Sequence, residues 1–518
     1  MERAVTGPGA ASSPTKEEIR ACIAVLEALA RDKKEIFSLD EEDRIALLRA
    51  AGLVARPDRA LERVLSRAER RSRKKALRSR DRERRERTGI REARRPAVYV
   101  PPPLTLPGPG APAPELERPL ACYVCKGEYT KVHFFYDSMC PACAELNYDK
   151  RFQTAALDGR VAVVTGARVK IGFHTALKLL RAGARVIATT RFPHDAAQRY
   201  AREADFEGFK DRLAIWGLDL RHAPSVERFA DALCAREARL DYVVNNACQT
   251  VRRPPAFYAH LIEHEARSTA ALSPAEAALV EPWAETVRAL TGGGALLPGS
   301  SPDEGALALV RAAREMPVGL VASAQLSLLR TAFDDDGFRS FPREALDADQ
   351  QQVDLREVNS WRLRLAEVPT WELLEVHLVN AIAPFILAGR LKPLLLRERT
   401  FAKHIVNVSA MEGIFSRGTK TDRHPHTNMA KAALNMLTLT SAPDYARDGI
   451  FMNAVDTGWV TDEDPAVHAT RKRDDLGFQP PLDIVDGAAR VLDPIFTGAL
   501  TGQHAWGKFF KDYRPAAW

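Results

Sequence analysis

At 518 residues the chain has room for about two to four domains of roughly 100–200 residues each, and a 46% apolar fraction supplies a sizeable core. The net charge of +7 is a modest excess for this length and does not by itself imply a nucleic-acid partner. No apolar run reaches the about 20 residues that cross a bilayer, the N-terminus MERAVTGPGAASSP has no apolar signal core, and seven unevenly spaced cysteines do not form a secreted disulfide framework; a cytoplasmic protein without a membrane partner is expected.

Residues 15–60 read as helical. Ile19, Cys22, Ile23, Val25, Leu26 and Leu29 fall on an approximate 3.6-residue stripe, and Ser38 with Glu41 has the S-x-x-E form of a capping box. Arginine dominates from Arg63 to Arg95. Such a block is a solvated helix or an extended arm, or else it contacts RNA, DNA or an acidic protein. Interleaved Glu62, Glu69, Asp81, Glu83, Glu86 and Glu92 weigh against the second reading by offsetting phosphate attraction and permitting i,i+4 pairs. No aromatic residue in the run stands ready to stack a base. Residues 1–98 thus form a helical, basic region, and the proline-dense stretch 99–119 reads as an extended linker.

Residues 120–152 carry two C-x-x-C pairs, Cys122 with Cys125 and Cys140 with Cys143. Two residues between thiolates let both reach one metal, and two pairs complete the tetrahedron of a closed, structural zinc site. The alternation around Lys131–Tyr136 reads as a hairpin strand, and Pro141 opens a helix. A knuckle, hairpin and helix in this order resemble a treble-clef finger. His133, beside Phe134 and Phe135, reads as a packed side chain in preference to a ligand. The finger and the domain after it are expected to have separate cores.

From residue 157 the pattern changes. Val161–Val164 is a short apolar run, TGARVKIG follows, an amphipathic helix passes through Leu177, Leu179 and Leu180, and Val186–Thr190 is a second apolar run. This is a β-α-β unit whose glycine turn presents backbone N–H groups to a pyrophosphate. Thr165, Gly166, Arg168, Lys170, Ile171 and Gly172 are its candidate cofactor-binding residues.

These residues resemble the first motif of the short-chain dehydrogenase/reductase family, T-G-x-x-x-G-x-G, with Lys170 at the middle glycine. Further matches follow in the family's order. LDL at 218–220 places Asp219 at the adenine. NNAC at 245–248 supplies Asn246 and Ala247, with Cys248 replacing glycine. Asn380 in EVHLVNAIAPF, Ser409 in IVNVSA and Lys431 in MAKAALNML match three members of the catalytic tetrad, and NAVDTGWVT at 453–461 has Thr457 in place of proline. The resemblance implies an α/β, Rossmann-type doubly wound parallel sheet over 157–518, preceded by the zinc finger and the basic helical region. It implies an oxidoreductase moving hydride between nicotinamide and an alcohol or carbonyl substrate. Ser409 would orient the carbonyl, Lys431 would bind the ribose, and Asn380 would support the proton relay. Homo-oligomerisation is left open.

Three departures qualify that implication. Thr190 and Arg191 stand where an acidic residue would select NAD(H); a guanidinium suits a phosphate dianion, so NADP(H) is expected. A large insertion occupies about 251–370, with TGGG at 291–294 and PGSSPDEG at 298–305; it reads as a helical lid, a partner-binding insert or a disordered segment. Finally, the family's tyrosine, four residues before the lysine, is Thr427, whose hydroxyl does not ionise usefully near neutral pH. The alternatives are a histidine donor, His426 or His424, a donor from the insertion such as Tyr258, or a catalytically inactive dinucleotide-binding scaffold whose finger and basic arm bind protein or RNA.

Overall fold

A computed structural model describes residues 14–55, 59–96, 98–100, 114–265, 271–291, 339–342 and 345–518. The chain divides into two units, residues up to Arg80 and residues from Asp81 onward. In the first, helix α1 (Lys16–Arg31) opens with a capping box made by Thr15 and Glu18. Helix α2 (Glu41–Ala55) takes its cap from Asp40, whose carboxylate accepts from the Asp43 amide at 2.8 Å. The expected Ser38–Glu41 box does not form, because Ser38 closes a 3₁₀ turn and donates to the Glu35 carbonyl. None of the α1 residues is buried, and the Ile19, Ile23, Val25 and Leu26 stripe stays exposed.

The arginine run forms helix α3 (Arg59–Arg85), followed by the short helix α4 (Gly89–Glu92). From Asp81 onward it is a clamp instead of a solvated arm. Arg85 and buried Arg91 both donate to Asp137 Oδ2, and Arg94 donates to the carbonyls of Pro480 and Leu482. Burial raises the Asp137 carboxyl, but the two guanidiniums outweigh it and hold the group below its usual range.

Strands β1 (Glu115–Ala121) and β2 (Glu128–Lys131) pair antiparallel. The hairpin therefore lies earlier than the Lys131–Tyr136 alternation suggests, and β1 begins inside the stretch read as linker. Helix α5 (Pro141–Phe152) starts at the proline, with Cys140 as its N-cap.

The sheet that follows is built from β3 (Val161–Thr165), β4 (Arg185–Thr190), β5 (Leu213–Gly217) and β6 (Tyr242–Asn245), and from β7 (Lys403–Ser409), β8 (Ile450–Asp456), β9 (Phe509–Lys511) and β10 (Arg514–Ala516). Its order is β5-β4-β3-β6-β7-β8-β9-β10, parallel except for β10. Both faces are covered, so strands such as β3 are buried throughout. One face packs on helix α6 (Lys170–Arg181) and the C-terminal helix of residues Ile484–Thr501, through Leu177, Leu180, Val491 and Ile495. The other packs on the helices of residues Ala223–Arg236, Ala383–Leu396 and Pro425–Arg447, through Phe229, Leu387, Leu391 and Tyr445. The strand order reverses between β3 and β6, where open α/β sheets bind ligands at their carboxyl ends.

In chain order the remaining helices are α7 (Pro193–Ala201), α8 (Ala223–Arg236), α9 (Pro255–Glu265), α10 (Pro274–Thr291), α11 (Thr370–His377), α12 (Ala383–Leu396), α13 (Pro425–Arg447), α14 (Ala466–Leu476) and α15 (Ile484–Thr501). The insertion contributes α9 and α10, and α10 packs beside β5 and α7. PGSSPDEG and TGGG after Thr291 lie outside the described residues. Against the sequence expectation, the continuous run Thr370–Leu396 is long and apolar enough to cross a membrane by length and composition alone; half of its most apolar window is buried within the protein.

The finger and the sheet domain do not have the separate cores expected from sequence. Tyr129, Phe135, Tyr136 and Tyr148 share a cluster with Val460, Leu482 and Ile484. Arg151 of α5 donates to Asp483 and Asp486 at 2.7 and 2.8 Å, and the Tyr136 hydroxyl donates to Asp486 at 2.5 Å. All four polar side chains are buried at or below 3% exposure, where losing one member of an ion pair costs about 3–5 kcal/mol.

Candidate functional site

The turn after β3 is closed by contacts that only glycine allows. Gly166 has φ +66°, and a Cβ there would lie 2.9 Å from the Ala247 Cα. A Cβ on Gly172 would meet the Gly166 oxygen at 2.2 Å and Asn246 Nδ2 at 2.4 Å. Asn246 Nδ2 donates to the Thr165 oxygen at 3.0 Å, and the Ala247 amide donates to Thr165 Oγ1 at 3.0 Å. Thr165, Gly166, Gly172, Asn246 and Ala247 are thus brought together at the reversal point. Lys170 takes φ +55°, a left-handed conformation costly for a residue with a Cβ. Burial would lower its ammonium pKa, but Glu463, Asp349 and Asp347 reverse the effect and raise it. Arg168 is buried, bound to Asp195 at 2.7 Å and to Gln351. Ile171 packs against the finger's core.

The turn opens on a cavity of about 1230 Å³ whose wall includes Gly166, Arg168, Lys170, Ile171, Gly172 and Asn246. At one end, Arg191 leaves β4 and donates to the Tyr258 hydroxyl at 2.8 Å, with its guanidinium 4.6 Å from that ring's centre. Asp219 is held by Arg221 through contacts of 2.6–3.2 Å. Burial raises the Tyr258 phenol, but Arg191, Arg221 and Arg253 outweigh it and hold the group below its ordinary value. Three guanidiniums thus act on Tyr258 at this end of the cavity, of which Arg221 is paired with Asp219 and Arg253 with Asp354. Tyr258 sits at Arg191, at the end of β4, which is the wrong end for the donor role considered from sequence.

At the other end, Ser409 and Lys431 border the same cavity. Ser409 Oγ donates to Asn435 Oδ1 at 2.5 Å, and Lys431 Nζ donates to the Val408 oxygen at 2.7 Å. Asn380 lies in a single π-helical turn, Leu378–Ile382, between α11 and α12, the kind of widening found at functional sites. Its side chain is fully buried and brackets one backbone unit, accepting from the Gln249 amide and donating to the Gln249 carbonyl. Asn380 is not among the cavity's lining residues.

Thr427 is buried, is not among the lining residues, and its hydroxyl has no hydrogen-bond partner among the described residues. His426 is likewise absent from the lining. Its Nε2 is 3.8 Å from Glu372, and burial, with His424 and His377, takes it down to about 4. Of the two histidines, His424 faces the cavity. It caps α13 with φ +42°, stacks on Trp361 at 3.9 Å with 5° between the planes, and shares a 3.1 Å hydrogen bond with Asn428. Sequence reasoning missed Trp361 and Asp456. Asp456 lines the cavity in register with Ser409 on the neighbouring strand, and burial raises its carboxyl. The signal was available: an acid fills the variable position of N-A-V-x-P-G.

The four finger thiols converge. Their sulfurs all lie within 4.8 Å of one another, with Cys125 and Cys140 at 3.7 Å. A tetrahedral site with about 2.3 Å zinc–sulfur bonds needs sulfurs about 3.8 Å apart, so the cluster fits such an ion. Burial would raise the Cys122 thiol, but backbone amides of Cys140, Cys125 and Val124 bring it to about 7. His133 stands apart: Nδ1 accepts from the Phe135 and Tyr136 amides, and Nε2 lies 3.3 Å from Glu145.

Residues 160–266 match the family model described as short chain dehydrogenase. An uncharacterized protein of Acanthamoeba polyphaga mimivirus, R665, is 30% identical over 387 residues, covering 72% of this chain and 71% of that one. Human dehydrogenase/reductase SDR family member 13 is 41% identical over 91 residues, 18% of this chain and 24% of that protein. Human retinol dehydrogenase 11 is 35% identical over 94 residues, 18% and 29%. The chain therefore spans less than a third of the length of these two human relatives. Among solved structures, the carbonyl reductase Sniffer of D. melanogaster aligns over 70% of this chain and all of that one, at 16% identity and a TM-score of 0.40. That likeness is too loose to bear on the chemistry.

Proposed function

The chain belongs to the short-chain dehydrogenase/reductase family, and from that premise we propose that it is an NADP(H)-dependent oxidoreductase acting on an alcohol or carbonyl of a small molecule. One observation carries the reading: a single cavity joins the Gly166–Gly172 turn and Arg191 at one end to Ser409 and Lys431 at the other. The dinucleotide, when bound, supplies or accepts the hydride. Its pyrophosphate would meet the backbone of the turn and the N-terminus of α6. Arg191 would pair with the 2′-phosphate, an arrangement less suited to NAD(H). Lys431 would hold the nicotinamide ribose, and Ser409 would turn its hydroxyl from Asn435 to the carbonyl oxygen. His424, the cavity-facing histidine, would give that oxygen its proton in reduction, in place of the absent tyrosine. Asn380, set behind the wall, would act by holding Gln249.

Residues 157–518 would carry this chemistry and 120–152 the finger, with Cys122, Cys125, Cys140 and Cys143 holding one structural zinc ion. The decisive experiment adds NADPH and a panel of aldehydes and ketones to the purified chain and follows loss of NADPH absorbance. Turnover supports the reading; tight NADPH binding without turnover on any carbonyl favours the second. That second reading, a dinucleotide-binding scaffold, is favoured by Thr427, whose hydroxyl lies away from the cavity.

A further inference from the structure

The finger has a second relation to the cavity, besides the core it shares with the sheet domain. Tyr123 and Lys126, which lie within and directly after the Cys122–Cys125 pair, line the cavity wall. The Tyr123 hydroxyl accepts from the Trp459 amide at 2.9 Å. Trp459 belongs to the loop that leaves β8 after Asp456, which pairs with Ser409, and runs to Val460, a member of the finger's own core. At Gly458, with φ +74°, a Cβ would lie 3.2 Å from the Tyr123 hydroxyl and 2.4 Å from Leu482. The loop therefore passes tightly between the knuckle and the sheet domain.

One residue of the knuckle holds a costly backbone conformation. Lys126 takes φ +65°, a conformation that favours glycine, and its amide donates to the Cys122 oxygen at 3.1 Å. The Tyr123 amide donates to the Ser138 carbonyl at 2.8 Å, two residues before Cys140. A metal joining the two cysteine pairs would fix both sides of this arrangement. Ammonium groups of Lys126 and Lys511 lie 5.2 and 5.7 Å from the centre of the Tyr123 ring, so its position is held from several directions.

We infer that Tyr123 is a positioning residue of the dinucleotide cavity, and that metal occupancy of the finger sets how well the 456–460 loop is ordered to receive the nicotinamide half of the cofactor. The inference rests on the proposed function for its choice of ligand. The loop borders the Ser409 end of the cavity, whereas the Arg191 end is built from β4, α9 and the residues after β5. Loss of the knuckle contact acts on the first end and leaves the second intact.

The test uses the full chain. Tyr123→Phe removes the acceptor for the Trp459 amide and keeps the ring; zinc content is checked by elemental analysis. A parallel sample of the parent chain is stripped with a chelator. Hydrogen exchange of peptides covering 457–463 is expected to speed up about tenfold in both samples, the scale of one lost hydrogen bond. Calorimetry is expected to give about tenfold weaker binding of NADPH and unchanged binding of adenosine 2′,5′-bisphosphate, which has no nicotinamide. Unchanged exchange in both samples would overturn the inference. So would faster exchange with unchanged NADPH affinity, or equal losses for the two ligands. If the parent binds neither NADPH nor NADH, the functional reading fails on its own, and loop exchange alone decides whether the knuckle orders the loop.

Discussion

Replacing Arg191 by alanine is expected to weaken NADPH binding by roughly 10- to 150-fold and to change NADH binding by less than about threefold. The guanidinium is pre-placed. It donates to the Tyr258 hydroxyl at 2.8 Å and lies against that ring, and Tyr258 is fixed in a small core with Phe192, Phe257, Leu261 and Phe341. A phosphate therefore meets a side chain whose ordering cost is already met on folding. A hydrogen bond to a charged group contributes about 1.5–3 kcal/mol, and every 1.4 kcal/mol is tenfold in affinity, which gives the stated range. Arg221 and Arg253 remain in the variant, so the loss should not exceed it. NADH carries no 2′-phosphate and has nothing to lose at this position beyond a change of local field. Calorimetry at low salt is the suitable assay, because screening at high ionic strength would compress the difference. Arg191→Lys should fall between parent and alanine, since an ammonium keeps the charge without the planar fork. Equal losses for the two dinucleotides would refute the reasoning and leave Arg191 as a packing partner of Tyr258.

Three further outcomes follow from the same geometry. Cys140→Ser should abolish zinc retention and lower the thermal midpoint of the main transition, because the finger and sheet domain share Tyr136, Arg151, Asp483 and Asp486; a midpoint equal to the parent's would restore independent cores. In any NADPH-dependent turnover, His424→Ala should cost about 10²–10⁴-fold in rate, the scale of a lost general acid, while His426→Ala should leave the rate within a few-fold, so the reverse pattern would be decisive against the assignment. Asp241 supplies a pH test. Burial raises its carboxyl, but Arg239, Lys403 and the Val161 amide outweigh that and lower it to about 2. Its contribution of about 2 kcal/mol is present above the unfolded value near 4 and lost as pH falls through about 2. Denaturant titrations at pH 6 and pH 2.5 should therefore differ by less in Asp241→Asn than in the parent, and an unchanged difference would dismiss the pairing.

The parts legible in the sequence are those whose determinants sit close together along the chain. The β3–turn–α6–β4 unit is readable because apolar runs, a glycine turn and a helical stripe follow within some thirty residues, and Gly166 and Gly172 are required by contacts with Asn246 and Ala247 in the N-N-A segment. The cysteine pairs are readable for the same reason. What escaped is long-range. Arg91 reads as one more cation in a basic run until Asp137 and the Gly477 carbonyl are placed against it. Nothing local marks Tyr136 as the partner of Asp486, so the finger reads as an independent module. His424 caps α13 in a left-handed conformation whereas His426 lies inside the helix, and sequence alone does not say which of the two meets the cavity. That Thr427 carries a hydroxyl without an accessible anion is legible from its residue type, but its seclusion from the cavity depends on packing.

The departures from the family pattern coincide with segments that the family frame does not supply. Lys170 in place of glycine is balanced by Asp347 and Asp349 of the insertion, together with Glu463. The Arg191 end is closed by Tyr258 on α9, again from the insertion. At the Ser409 end, Trp361 stacks on His424 and Tyr123 of the finger holds the Trp459 amide. Two of the motif substitutions, Lys170 and Arg191, are thus matched by side chains brought from outside the motif. A reading that transfers family roles residue by residue therefore captures the backbone cradle and under-describes the walls. It also fixes how the protein should be handled: a fragment beginning at residue 157 would leave Asp483 and Asp486 without Arg151 and Tyr136, and the loop after β8 without Tyr123. Such a fragment removes determinants of both stability and cavity shape, so its failure to bind a dinucleotide would say nothing about the whole chain.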